Sequence, residues 1–360
     1  MSSIKKGGTA TEAAAQLGSM SLGKSGERDN GTTENNEDAE ENTEAPDEAP
    51  SQMCSACEKK SNALMKCRAC KCVWYCDKKC QNKHRKVHKH ECRLIKKELD
   101  KRGGKLDLGK ELDIGPIEKL PPREECPICM QVLPIPEKLS TYYPCCGKSI
   151  CGGCNFKHQM KSEGRPTCAF CRTPMTRSDE EETLARLRKR VELKDPKALL
   201  NMAMVHGEGQ LGLPVDQSKC LELLRESADL GHPPAQYDLG CYYSTGEMGL
   251  VQNEEEAERY WEKTIDVGHV HAHHNLGNKE GRNGNHVATM RHFRLAAAGG
   301  FRGSMENLIE CFELGLLHHG DLAATLQAYY RTRAEMKSED RELYIKYLKA
   351  KGEYEAEYDM

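Results

Sequence analysis

Sixteen of the 19 cysteines in this 360-residue chain fall in two stretches, residues 54–92 and 126–171. Thiolates and imidazoles at short spacing bind zinc, and four of them complete a tetrahedral site. In the first stretch the candidate ligands are Cys54, Cys57, Cys67, Cys70, Cys76, Cys80, His88 and Cys92. In the second they are Cys126, Cys129, Cys145, Cys146, Cys151, Cys154, Cys168 and Cys171. Each set of eight divides into two sites, so four Zn2+ ions are expected, two per module. A Cys-x-x-Cys turn brings two sulfurs onto one ion. The pairs Cys76/Cys80 and His88/Cys92 are four apart and share one face of a helix. Seven cysteines and one histidine without a carboxylate form a closed, structural set with no open position for a catalytic water. Cys72 lies outside the count, either as an unliganded thiol or in exchange with Cys70. Adjacent Cys145 and Cys146 can serve one ion only where the chain turns sharply, and Pro144 and Gly147 favour such a turn. His158 is the reserve ligand there. His84 and His90 are expected to be exposed, because the ligand count is already full.

Those ligands need reduced thiols. No apolar run reaches the ~18–20 residues of a membrane span, and the first 30 residues lack the apolar core of a secretory signal. Cytoplasm or nucleus is therefore expected, where Cys-x-x-Cys pairs read as metal ligands before disulfides. A disulfide scaffold is the alternative. Lys+Arg number 53 against 56 Asp+Glu, a balance that disfavours a dedicated nucleic-acid binder. The basic run Lys83–Lys89 reads as the solvated face of the helix that carries His88 and Cys92.

The elements that must position these residues follow from composition. Residues 1–53 contain no aromatic residue and are strongly acidic over 34–48, so they read as a disordered acidic tail. Residues 93–122 form a partly helical linker, and 123–177 enclose the second cysteine cluster. Over 178–350, Leu, Ala and Met recur at helical spacing. Ala198, Ala235, Ala272 and Ser304 mark equivalent points of a repeat. The phrases Ala235-x3-Leu239-Gly240 and Ala272-x3-Leu276-Gly277 coincide. So do Ala228-x2-Gly231, Ile265-x2-Gly268 and Ala297-x2-Gly300. Two short helices in a period of 30-odd residues imply a solenoid. Cys220, Cys241 and Cys311 read as buried, apolar-like residues. His271, His273 and His274 lack the neighbouring ligands a metal site needs. Residues 351–360 are expected to fray beyond a final helix.

The first cluster resembles the MYND zinc finger, with all eight ligands in order. The resemblance implies that Cys54, Cys57, Cys76 and Cys80 share one ion and Cys67, Cys70, His88 and Cys92 the other. It also implies a buried aromatic at Tyr75 and a peptide-binding groove with Gln81 on one wall. The other wall usually carries a Trp, and here that position is Arg85.

The second cluster resembles an all-cysteine RING finger, through its Cys126-Pro-Ile-Cys129 opening and its Cys168-x2-Cys171-Arg-x-Pro ending. The resemblance implies cross-bracing, with Cys126, Cys129, Cys151 and Cys154 on one ion and Cys145, Cys146, Cys168 and Cys171 on the other. It implies a ubiquitin-conjugating enzyme as partner, gripped by Ile128, His158 and Pro174, with Arg172 bridging enzyme and ubiquitin. His158 stands where the family usually has a bulky residue, often Trp. Such a module has no nucleophile of its own and acts by orientation.

The helical half resembles the Sel1-like repeat, a relative of the tetratricopeptide repeat. The expected fold is thus multidomain: a disordered tail, two small cross-braced zinc modules and an all-α solenoid. The expected function is a zinc-dependent RING-type ubiquitin ligase that recruits a protein substrate through the solenoid, the MYND finger or both. The alternative is a non-catalytic zinc-finger and repeat scaffold for protein partners.

Overall fold

The computed structural model describes residues 53–354 apart from 62, 119, 136–138, 163–165 and 175–179. Nearly all of the expected acidic tail (1–53) and most of the expected frayed end (351–360) lie outside the described residues. The chain divides into two compact units, residues 1–104 and 105–360. No helix among the described residues is long and apolar enough to cross a membrane.

In the first unit a two-stranded antiparallel sheet pairs β1 (Met65–Lys66) with β2 (Trp74–Tyr75). Helix α1 (Lys78–Lys101) follows at once, and the Asp77 side chain caps it by accepting from the Cys80 N–H at 2.7 Å. The helix continues without interruption past Cys92 for another nine residues. Its inward face holds His84, His88, Glu91, Ile95, Glu98 and Leu99. Buried Glu98 is paired with Arg102 and Lys101 at the helix end, at 3.0 and 2.9 Å.

The second unit opens with an extended segment, then a hairpin of β3 (Ser140–Tyr143) and β4 (Lys148–Cys151) leading into α2 (Gly152–Lys161). The helical array follows. Helix α3 (Glu180–Glu192) precedes α4 (Pro196–Glu208), α5 (Gln217–Asp229), α6 (Pro233–Thr245), α7 (Glu254–Ile265), α8 (Val270–Arg282), α9 (His286–Ala298), α10 (Arg302–Glu313), α11 (His319–Glu335) and α12 (Glu339–Lys351). Helices α4 to α11 pack as four consecutive pairs, each against the next.

The repeat phrases have a local cause. Ala198, Ala235, Ala272 and Ser304 are each the third residue of the first helix of a pair, and each is fully buried. A larger side chain there would part the helices. Gly240 faces Trp261 and Gly277 faces Phe293. A Cβ at either position would stand 2.5 or 2.7 Å from the ring. Gly231, Gly268 and Gly300 close the second helices with φ of 79, 76 and 96°, a conformation that favours glycine. Asp195, Asp216 and Asn253 cap α4, α5 and α7 with their side chains.

Residues 105–122 are fastened to the array. Buried Arg294 of α9 donates to the carbonyls of Ile114, Gly115 and Pro116 at 2.7–2.9 Å. The Leu112 N–H donates to the Leu316 carbonyl, and Ile114 is buried. Helix α11 has no side-chain cap of its own. The Asp107 carboxylate supplies one by accepting from the His319 N–H at 2.7 Å.

Candidate metal centres and the surfaces around them

Four turns of like geometry build half of the ligand set. After Cys57, Cys70, Cys129 and Cys171 the chain places Glu58, Lys71, Met130 and Arg172 at φ of 56–60°. Each of these N–H groups donates to the carbonyl of the first cysteine of its pair, at 2.8 to 3.2 Å. Positive φ is costly for a non-glycine residue. Here it closes a tight turn that leaves two sulfurs side by side. Bridges Met53↔Lys60, Glu125↔Val132 and Thr167↔Pro174 flank three of the turns.

The structure gathers the ligand atoms into four groups, each with all atoms within 4.8 Å of one another. They are Cys54, Cys57, Cys76 and Cys80; Cys67, Cys70, His88 and Cys92; Cys126, Cys129, Cys151 and Cys154; and Cys145, Cys146, Cys168 and Cys171. Sulfur pairs stand 3.4 Å (Cys57–Cys76), 3.8 Å (Cys67–Cys92), 3.9 Å (Cys129–Cys151) and 3.6 Å (Cys146–Cys168) apart. Zinc–sulfur bonds of about 2.3 Å in a tetrahedron require an edge of about 3.8 Å. A disulfide would require about 2.05 Å. The donor type, number and spacing therefore fit zinc in all four groups. Burial raises the thiol pKa of Cys54 and Cys126, yet backbone N–H donors bring both down to about 7. Hydrogen bonds from Thr173 bring Cys171 to about 6. These donors favour the thiolate, which is the form that binds metal.

Cys72 is buried beside Cys70, and its thiol donates to the Cys70 carbonyl at 3.3 Å. It lies outside the four groups. Tyr75 is buried. His84 corrects the expectation of exposure. It is 6% exposed, its Nδ1 lies 3.0 Å from the Tyr75 hydroxyl, and its ring stacks on that of His88 at 5.6 Å. Counting ligands left no role for it, but its place on the inward face of α1 gives it one in packing. His90 is exposed. Gln81 is half-buried in the first turn of α1, with Arg85 one turn on and exposed.

The adjacent pair Cys145 and Cys146 sits in the loop between β3 and β4. There the Tyr143 carbonyl accepts from the Cys146 and Gly147 N–H groups at 3.2 and 2.8 Å, and Gly147 has φ 70°. Arg190 of α3 donates to the outward carbonyls of Pro144 and Cys145 at 3.3 and 3.4 Å. His158 is not among the ligand groups. Its Nε2 lies 3.0 Å from the Thr167 carbonyl and 3.2 Å from the Thr167 hydroxyl, which ties α2 to the residue that precedes the Cys168 turn. Ile128, Arg172 and Pro174 are exposed, Ile128 to 46%. His158 and Pro174 both adjoin Thr167, one by hydrogen bond and one by the bridge.

One contact set had no signal in the sequence. Helix α12 lies along α2, where Gly153 leaves room for the backbone of Arg341: a Cβ there would stand 2.6 Å from the Arg341 nitrogen. Phe156 packs on Tyr344 and Tyr347 with ring centroids 5.8 and 4.9 Å apart, and Lys157 pairs with Asp340 at 2.9 Å. The Arg341 side chain is 2% exposed. It donates to the Val132, Met336 and Gln131 carbonyls and reaches the Cys129 sulfur at 3.5 Å. Arg123 spans the same seam, donating to Leu133 and Gly299 at 2.7 and 3.0 Å. In sequence both residues look like ordinary surface arginines.

The histidines of the array are packing residues. His269 and His271 pack at a tilt against Tyr237, and His271 and His274 meet the Phe301 ring edge-on. His273 Nδ1 lies 3.1 Å from His292 Nδ1. Burial lowers His269 to about 3 and His271, His273 and His274 to about 4. Cys220 and Cys311 are buried and Cys241 is partly so.

Comparison with known proteins matches this geometry in two places. The MYND finger profile matches residues 54–92, and the Sel1 repeat profile matches residues 196–232 and 233–269. A histone-lysine N-methyltransferase, ASHR1 of Arabidopsis thaliana, is 46% identical over 50 residues, which is 14% of this chain and 10% of that protein. The chain thus spans about a tenth of the length of that relative. Among solved structures, a protective antigen of uropathogenic Escherichia coli displaying an SLR fold is 25% identical. It covers 47% of this chain and 36% of its own, with a TM-score of 0.35. A Sel1 repeat protein from Oxalobacter formigenes is also 25% identical, covering 35% of this chain and 96% of its own, with a TM-score of 0.32. The chain carries a MYND finger at residues 54–92 and Sel1 repeats at residues 196–232 and 233–269.

Proposed function

We propose that this chain is a zinc-built adaptor that holds protein partners together. One observation carries the reading. The second cysteine cluster packs into the helical array through α12, Arg341 and Arg123. Metal module and repeats then form one platform, and the MYND finger adds a second docking element around Gln81 and Arg85. All four metal groups are saturated by protein donors, which gives zinc a structural part.

A finer reading is favoured by the exposure of Ile128, Arg172 and Pro174. The second cluster would act as a RING-type module that grips a ubiquitin-conjugating enzyme. Ubiquitin would pass from the enzyme thioester to a substrate lysine, freeing the enzyme thiol, and Arg172 would orient the pair with its forked donors. His158 contributes less, because its ring is engaged with Thr167.

A ubiquitin-discharge assay separates the two. The adaptor reading expects the zinc-loaded chain to leave the discharge rate unchanged across a panel of conjugating enzymes. It also expects stoichiometric protein partners to be retained by Ile128→Ala and Arg172→Ala. The ligase reading expects accelerated discharge that both substitutions abolish at unchanged zinc content.

A further inference from the structure

Helix α1 has one solvent face built almost entirely of cations. Opposite its buried side it exposes ten Lys and Arg residues, among them Lys78, Lys83, Lys86, Lys89, Arg93 and Lys97. The single exposed carboxylate within the helix, Asp100, is paired with Lys96 at 2.5 Å. Over 24 residues the helix is about 36 Å long. Compensation of the thiolates does not account for this charge. Residues 53–104 hold 16 Lys and Arg against 5 Asp and Glu. Seven thiolates with two zinc ions would add three negative charges, far too few.

The complementary charge lies just upstream. Residues 34–48 carry eight carboxylates and no Lys or Arg. Their point of attachment is fixed by the finger. The Cys54 ligand atom lies within 4.8 Å of that of Cys80, the third residue of α1. Met53, bonded to Cys54, therefore lies near the start of α1. The six residues from Glu48 to Cys54 reach about 20 Å, and the 15 residues of 34–48 reach about 50 Å when extended. That is enough to run the length of the helix. Tethering raises the local concentration of the acidic segment to the millimolar range.

We propose that the cationic face of α1 is an intramolecular polyanion-binding surface whose occupant is the acidic segment 34–48. The segment shields a helix that would otherwise attract any polyanion, and it sets a threshold that an external polyanion must exceed to bind.

Zero-length carbodiimide coupling of the intact, zinc-loaded chain, read by mass spectrometry, tests the contact. The expected links join carboxylates of 34–48 to lysines of α1, and they vanish in 1 M salt, where the screening length is about 3 Å. A variant with all eight carboxylates neutralised (Glu37→Gln, Asp38→Asn and the rest alike) tests the consequence without changing any residue of the finger or the helical array. It should bind a 20-nucleotide single-stranded DNA at least about 10-fold more tightly than the wild type at low salt. Links scattered evenly over the lysines of residues 105–354 would overturn the proposal. So would equal DNA affinity of the two proteins, which would leave nucleic acid, and not the tail, as the partner of this face.

Discussion

Nη2 of Arg341, on α12, stands 3.5 Å from Sγ of Cys129, a member of one of the four metal groups some 200 residues earlier. The guanidinium also holds three backbone carbonyls around that turn and α12. A zinc ion with four thiolates carries a net charge of −2, and a buried cation beside it offsets part of that charge. Arg341→Met removes the cation and leaves buried acceptors without a donor. The expected cost is about 3 kcal/mol of stability, with zinc lost to a competing chelator at lower chelator concentration. Arg341→Lys keeps the charge without the fork and should recover only part of the zinc retention. Thermal denaturation and chelator titration of the three proteins check this.

The close approach of helices in the repeats gives a paired test. Gly240→Ala places a methyl 2.5 Å from the Trp261 ring and 3.1 Å from the Ala257 carbonyl. Overpacking of this kind costs about 1–3 kcal/mol. At Gly281 the nearest atoms, on Thr289, are 3.6 Å away, so Gly281→Ala should be neutral or stabilising by about 0.5–1 kcal/mol. A melting curve that falls for the first and holds for the second supports the described packing.

Acid sensitivity follows from the buried and partly buried histidines of α8 and its N-cap. Burial lowers His271 from its ordinary 6.5 to about 4, and His269, His273 and His274 shift the same way. The unfolded chain therefore takes up protons first. The stability these groups contribute is full above pH 6.5 and is lost progressively as pH falls toward 4. His271→Gln should flatten the dependence of melting temperature on pH in that window, measured with zinc in excess.

Metal removal should be felt at the far end of the sequence. Chelation is expected to release α12, whose seam rests on α2 and on the Cys126–Cys129 turn. Hydrogen exchange across α12 should rise steeply. Exchange in α6 and α7, which pack on each other, should change little.

Much of this was legible because it is local. A Cys-x-x-Cys turn encodes its own geometry, and Ala235, Gly240, Ala272 and Gly277 repeat because each must let one helix approach the next. The turn at Pro144–Gly147 was equally readable from its residue types. The rest depends on partners distant in sequence. Nothing adjacent to Arg341 marks it as buried, and nothing near Asp107 marks it as the cap of α11. Residues 105–122 lack a hydrophobic period because they are held through backbone carbonyls by Arg294 and Arg291. His84 was misplaced for a related reason: its partner is the Tyr75 hydroxyl, and no spacing rule records such a bond.

Native mass spectrometry of the intact protein tests the central claim most directly. Four zinc ions per chain are expected, with every cysteine reduced, falling to three when Cys126→Ser and Cys129→Ser together disable one group. A chain that carries no zinc, or whose mass shows cysteines paired as disulfides within 54–92 or 126–171, would contradict the account.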